Sequence, residues 1–318
     1  MKKSLGIIGC GSVVQFVYVH IIGGWQQIDK IYVYDIDPEQ SQRVALTLGA
    51  TVSGLENLIS KSDVIIITAP PHTHYNLLLQ CLHAGKTVIC EKPFLFHISE
   101  AEKIVTEAEQ NNVQLFVAHM RRVLPAINLA KQMYESRVLG NLLEIQIFEG
   151  MRFAYHTQSG YEVKNEYGGV LLDTGSHALD AAMYITGLDE KEITVQQAIV
   201  KRDKKEPSHN FEALFTMKTL SEEIPVKLKL SRKQALSNKI NLMAEHGIVE
   251  VPLDLDNCIR LSQKSKKAFV AHAPYQVSSY QQAMAMQYNI IFDDTKNGIF
   301  RAERFIGLTG VLEKLLSA

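Results

Sequence analysis

The feature that most constrains this chain is the regular alternation, over its first 120 residues, of short β-rich runs with helical patterns. Residues 5–8, 30–35 (KIYVYD), 63–69 (DVIIITA), 87–90 and 114–119 (QLFVAH) read as strands. Between them 13–22, 38–48, 55–60, 75–84 and a stretch opening at Ser99 read as helices. Strands separated by helices are joined by crossovers, so the pattern predicts a parallel sheet covered on both faces. The unbroken apolar run in 63–69 agrees, because a strand buried on both faces shows no alternation. Pro38 suits a first helical turn and Gly49 ends that helix. Ser99 followed three residues later by Glu102 has the form of a capping box.

After Arg121 the alternation stops. A helix over 126–136 precedes a half-solvated strand at 142–148, a polar-aromatic loop at 151–167 and a helix over 171–185 that ends at Gly187. Four or more strand candidates follow, at 194–201, 211–218, 226–231 and 239–243, and amphipathic helices at 280–291 and 302–316 close the chain. The alternation in Val226–Leu230 is the clearest, and the group predicts an antiparallel sheet with one face against helices. At about 150 residues per domain, 318 residues suit two domains, with the change of pattern near 120 as the boundary.

Composition narrows the partners. Lys plus Arg total 33 against 34 Asp plus Glu, so no global field recruits nucleic acid or an anionic membrane. A small molecule is the expected partner. No apolar run approaches the ~18 residues of a membrane span, and Gly9 and Gly11 break the N-terminal apolar stretch before any signal-peptide pattern forms. Cys10, Cys81, Cys90 and Cys258 show no CxxC pair, and His72 and His74 have no acidic or Cys ligand at a matching spacing. No metal is expected, and a reduced, cytoplasmic protein fits best.

Three segments carry chemistry. Gly9-Cys10-Gly11-Ser12-Val13-Val14 lies between the first strand and first helix, where glycines let backbone amides approach a pyrophosphate at a helix N-terminus. Val14 replaces the third glycine of the usual fingerprint. Asp35 ends the second strand, where a carboxylate accepts hydrogen bonds from an adenosine ribose and repels a 2′-phosphate, favouring NAD(H) over NADP(H). The bland alternative is a tight turn with Asp35 capping the next helix. Thr68-Ala69-Pro70-Pro71-His72-Thr73-His74 and Glu91-Lys92-Pro93 leave the third and fourth of these strands at the sheet edge where ligands bind in open α/β folds. Pro93 holds Lys92 out of the α region, which separates it from an ordinary solvated lysine. In Gly168–Asp180, Asp173 and His177 stand four apart, so on a helix they share a face. A carboxylate beside an imidazole orients and activates a general base, although an incidental surface pair has the same spacing.

The glycine turn, TAPPHTH, EKP and GGVLLDTGSHALD, in this order, resemble the Gfo/Idh/MocA oxidoreductases over residues 6 to about 187. The resemblance implies an α/β fold, with an N-terminal Rossmann doubly wound parallel sheet and a C-terminal α/β domain carrying a large, mostly antiparallel sheet. Residues 1–120 would be the dinucleotide-binding domain and 121–318 the substrate-binding and oligomerisation domain. It implies a sugar, cyclitol or nucleotide-sugar substrate and a homodimer or homotetramer formed through the open face of the second sheet. Lys92, Asp173 and His177 match the family's catalytic residues, and the Lys92–Pro93 bond is often cis there. Gly9, Gly11, Ser12, Val13, Asp35, Thr68, Ala69, Pro70, His74, Glu91 and Lys92 are the expected cofactor contacts. Arg121 and Arg122 suit an anionic group, or are solvated at a domain junction. Tyr155 and Tyr161, with Phe153, His156 and Tyr167, suit stacking on a sugar ring, or pack within their loop. The expected activity is NAD(H)-dependent interconversion of a secondary alcohol and a ketone. The alternative is a non-catalytic dinucleotide sensor of the same fold.

Overall fold

A computed structural model describes residues 2–152, 169–202, 208–263, 268–293 and 298–318. They divide into two compact units: residues up to Ala118 together with Tyr288–Ile306, and the described residues of 119–287 together with Gly307–Ala318.

The first unit is built on six parallel strands: β1 (Lys3–Ile8), β2 (Ile28–Tyr34), β3 (Thr51–Val52), β4 (Val64–Ile67), β5 (Thr87–Glu91) and β6 (Leu115–Ala118). Their order is β3-β2-β1-β4-β5-β6, the doubly wound arrangement in which the chain's direction of travel reverses between β1 and β4. All four residues of β4 are buried, which is why its sequence shows no alternation. Each fully buried Ile there contributes roughly 1.5–3 kcal/mol of apolar burial. The helix Pro38–Leu48 is bounded by Asp37, whose side chain accepts the Glu39 N–H, and by a left-handed Gly49.

Two expectations change here. Residues 121–318 are not one unit, because Tyr288–Ile306 belongs with the first. The edge strand β6 explains part of this: the Val117 N–H donates to the Phe300 carbonyl, and Phe116 forms a bridge with Arg301, so the returning segment covers an edge that would otherwise be open. Ser99 is also not a cap. The helix is Ile98–Gln110, with His97 at its N-cap and no side-chain cap hydrogen bond, which leaves Ser99 inside the first turn.

Among the described residues the second unit holds eight strands: β7 (Leu142–Gly150), β8 (Thr194–Arg202), β9 (Asn210–Lys218), β10 (Glu223–Ser231), β11 (Lys239–Ala244), β12 (Gly247–Pro252), β13 (Cys258–Gln263) and β14 (Ala268–His272). The order is β14-β13-β12-β11-β7-β10-β9-β8. The β7–β10 pair is parallel and the other described pairs are antiparallel. In β10 the residues Ile224, Val226, Leu228 and Leu230 are buried and alternate with Pro225, Lys227 and Lys229, because one face packs on the core and the other meets water. The helices Pro125–Glu135 and Ser176–Thr186 pack together, the first also against β12 and β13 and the second against β7. No helix among the described residues is long and apolar enough to cross a membrane.

Candidate active site

In the first unit the glycine turn leaves β1 and the segment Thr68–Pro70 leaves β4, so both flank the point where strand order reverses. Gly9 has φ +99°, and a Cβ there would stand 2.6 Å from the Ala69 nitrogen and 2.7 Å from the Thr68 carbonyl carbon. The chain itself demands that glycine. Gly11 differs: its φ lies outside the left-handed region, and a Cβ would meet no protein atom within 4 Å. Nothing in the chain requires Gly11, so its bare backbone suits the close approach of a group from outside, and the turn fits a dinucleotide pyrophosphate. Gly11, Ser12 and Val13 are half-buried there. The helix that follows opens with a π turn, Val14–Tyr18, a local widening frequent at functional sites.

Asp35 faces this turn. Its Oδ2 accepts the Cys10 N–H at 2.6 Å and its Oδ1 accepts the Asp37 N–H at 2.9 Å. Asp37, not Asp35, caps the next helix, so the capping alternative for Asp35 falls away. The Thr68 hydroxyl donates to the Gly9 carbonyl at 2.6 Å and ties β4 to the turn, and the Pro70 carbonyl accepts the Thr73 hydroxyl at 2.8 Å.

Two of the expected cofactor contacts have their side chains engaged within the chain. His74 is fully buried, with Nε2 2.9 Å from the Ala69 carbonyl and Nδ1 3.0 Å from the Phe94 carbonyl. It pins two strand-end loops from behind, and burial pushes its pKa down. Glu91 directs its carboxylate to Tyr18, whose hydroxyl donates to Oε1 at 2.5 Å, and accepts the Lys92 N–H at 3.1 Å. Glu91 itself is half-buried. Lys92 is half-buried, and the Lys92–Pro93 peptide is cis.

In the second unit, a π turn, Leu171–Gly175, runs into the helix Ser176–Thr186, so Asp173 and His177 do not sit on one regular α-helical face. Arg232, at the end of β10, donates from Nη2 to Asp173 Oδ2 at 2.6 Å. His177 is half-buried, and its ring meets that of the buried His119 edge-on, centroids 5.5 Å apart. His119 Nδ1 lies 3.4 Å from Asp180 Oδ2. Neither His119 nor Arg232 was among the expected site residues. His119 had a signal, since it leaves β6 at the ligand-binding edge; Arg232 had none.

The two arginines expected to meet a substrate anion are corrected. Arg122 is buried, donating from Nε and Nη2 to Asp180 and from Nη1 to Asp189, with Tyr184 under its guanidinium. Arg121 is also buried and donates from both Nη atoms to Glu149 at 2.9 and 2.5 Å. A guanidinium desolvated by burial needs such a carboxylate partner, and both pairings draw these cations inward. Tyr155 and Tyr161, with Phe153, His156 and Tyr167, lie outside the described residues.

Comparisons with known proteins agree with this architecture. The oxidoreductase family with an NAD-binding Rossmann fold matches residues 3–119, and the GFO/IDH/MocA C-terminal domain matches residues 127–250, together more than half of the chain. The chain belongs to the Gfo/Idh/MocA oxidoreductase family. It is 27% identical over 188 residues to glucose-6-phosphate 3-dehydrogenase of Bacillus subtilis, covering 58% of this chain and 53% of that protein. The chain spans about half the length of that relative. Among solved structures, a 3-ketoreductase from Actinomadura kijaniata in complex with NADP and TDP-benzene superposes with a TM-score of 0.79 at 17% identity, covering 98% of this chain and 96% of that one. An oxidoreductase from Agrobacterium radiobacter in complex with NAD+, L-tartaric acid and magnesium superposes with a TM-score of 0.76 at 18% identity, covering 98% and 95%.

Proposed function

We propose that this protein is an NAD(H)-dependent oxidoreductase that interconverts a secondary alcohol and a ketone on a sugar, cyclitol or nucleotide-sugar. The observation that carries the reading is the half-buried His177, set against His119 and following an Asp173 held by Arg232, in a chain whose other unit offers the open Gly11 turn and Asp35. Gly9, Gly11, Ser12 and Val13 would hold the pyrophosphate and Asp35 the adenosine ribose; its carboxylate disfavours a 2′-phosphate, hence NAD. The bound dinucleotide supplies hydride transfer chemistry.

The remaining roles belong to the chain. His177 takes the proton from the reacting hydroxyl during oxidation and returns it during reduction. Asp173 orients His177 and accepts a substrate hydroxyl. Lys92 positions the reacting oxygen and offsets its developing negative charge. The name of the B. subtilis relative supports a sugar hydroxyl as the reacting group. Tyr155 and Tyr161 remain candidates for stacking on the ring.

Four free cysteines suit a reducing compartment such as the cytoplasm. Ile199 on β8 and its cross-strand neighbour Leu214 on β9 are exposed, which supports a homodimer or homotetramer through that face, readable by light scattering. The central test mixes the protein with NAD+ and a panel of polyols and sugars and follows nicotinamide absorbance. Turnover of at least one member is expected. Tight NAD+ binding with no turnover of any member, in either direction, overturns the enzyme reading in favour of a dinucleotide sensor.

A further inference from the structure

One buried arginine of the second unit pairs with a carboxylate that stays open to solvent. Arg232 follows β10 and donates from Nη2 to Asp173 Oδ2 at 2.6 Å. The arginine side chain is 2% exposed and that of Asp173 is 21% exposed. The Arg122 cluster differs, since Arg122, Asp180 and Asp189 are sealed at 0%, 1% and 1%. A molecule arriving from outside therefore finds Asp173 accessible, with Arg232 and the Arg122 cluster covered.

The local fold holds the pair from both sides. Asp173 sits in the middle of the π turn Leu171–Gly175, and Val170, just before the turn, donates its N–H to the Ser208 carbonyl at 2.8 Å. Arg232 donates its own N–H to the His209 carbonyl at 2.8 Å, so both partners hang from the two residues that lead into β9. At the other end of the turn a Cβ on Gly175 would stand 2.7 Å from Leu230 Cδ1. The missing side chain lets the turn lie against β10 beside Arg232.

A guanidinium presents only donors and stays charged at any working pH. Covered as it is here, Arg232 stabilises the ionised carboxylate at hydrogen-bond distance, and beside a neutral one its charge would lie buried and uncompensated. An ionised carboxylate only accepts hydrogen bonds, whereas a protonated one also donates. It has about four acceptor sites, so the bond to Arg232 leaves capacity for a group on the exposed side.

We propose that Arg232 is a positioning residue that fixes Asp173 as a permanent hydrogen-bond acceptor, so that the site selects substrates carrying a second hydroxyl, or another O–H or N–H donor, beside the reacting one. The inference rests on the contact between Asp173 and a substrate hydroxyl given above. Asp173 then takes no part in proton transfer, which falls to His177 alone, and an arginine that touches no substrate sets a substrate preference.

The ligand-free protein tests the acceptor state. With aspartate carboxyl carbons labelled for NMR, the Asp173 signal is identified by its loss in Asp173→Asn and followed across a pH series. Its midpoint should lie below the ordinary ~3.9, and Arg232→Met should raise it by about one unit or more, the low end of what a lost opposite charge produces. The two proteins differ only at Arg232, so nearby titratable groups such as His177 and His209 are common to both. The substrate preference is read with an active substrate and its analogue lacking the neighbouring hydroxyl. The ratio of their kcat/KM values should fall about tenfold in Arg232→Met, the scale of one weakened charge-assisted hydrogen bond, and Arg232→Lys, which keeps the charge, should recover part of it. An arginine that only held the turn would lower both values alike. A wild-type midpoint at or above ~3.9, an unmoved midpoint in folded Arg232→Met, or an unmoved ratio overturns the inference. If Arg232→Met fails to fold, Arg232→Gln is read in the same way, and the wild-type midpoint decides by itself. Unchanged turnover in Asp173→Asn overturns the catalytic reading of Asp173 instead, so the two failures are distinguishable.

Discussion

The two units hold their buried and half-buried polar side chains by different means. In the first, side chains are tied to backbone: Asp35 to the Cys10 and Asp37 amides, Thr68 to the Gly9 carbonyl, and His74 against the Ala69 and Phe94 carbonyls. In the second, charged side chains hold one another: Arg232 with Asp173, Arg122 with Asp180 and Asp189, Arg121 with Glu149. Backbone ties survive most substitutions nearby, because the strands themselves keep the carbonyls and amides in place. A buried charge whose partner is removed has no such support, so the second unit should respond to single substitutions more sharply than the first.

The contrast can be broken at its extremes. On the proposed reading His177→Ala should lower turnover by roughly 10²–10⁴-fold, the usual worth of a general acid–base group, while dinucleotide binding by fluorescence titration is retained. Comparable loss of binding would place His177 in the wrong half of the division of labour. Asp180→Asn should cost about 3–5 kcal/mol in urea denaturation, because it strips Arg122 of its main partner. Joint replacement of Arg122, Asp180 and Asp189 by apolar residues should recover most of that, and if it does not, the cluster is more than a compensated charge.

Smaller effects sharpen the first unit. Gly9→Ala should destabilise by about 1–3 kcal/mol through its left-handed backbone and its collision with Ala69. Gly11→Ala should leave the melting temperature unchanged and weaken dinucleotide binding instead; equal melting losses in both would show that the chain, not a ligand, requires Gly11. Asp35→Ala should move the NADP(H)/NAD(H) efficiency ratio upward by about tenfold, the scale of one lost charge-assisted hydrogen bond.

The smallest effect is a pH dependence. Burial holds the folded-state pKa of His74 below its ordinary 6.5, so the unfolded chain binds the proton more readily. The stability contribution is then full above 6.5 and lost as pH falls toward the folded-state value. His74→Gln should flatten the fall in melting temperature between neutral and mildly acidic buffer, and an unchanged fall would assign the acid sensitivity elsewhere.

Much of the first unit was legible because its signals are local. Pro38–Leu48 begins and ends where Pro38 and Gly49 indicated, and β4 announced itself by an apolar run that only a doubly covered strand tolerates. The far edge of the second sheet was not legible: in β14 both Phe269 and Val270 are exposed, so no alternation marks the strand. Neither π turn could be read, since a hydrophobic period near 3.6 does not report a single widened turn. Arg121 and Arg122 suit an anionic group or a solvated junction in the sequence, and neither reading names their partners, Glu149, Asp180 and Asp189 of the same chain.

What this sequence determined by itself was its fold class and the positions of its strand-end turns, because glycine, proline and hydrophobic period act over a few residues. Which charges met which was decided only by tertiary structure. Arg232 carries no local mark, yet the β10 strand brings it to Asp173, 59 positions away in the chain. Tyr288 likewise reaches Tyr18 across 270 positions. Electrostatic and hydrogen-bond partners are chosen by proximity and desolvation in the folded chain, and neither quantity exists until the strands have paired.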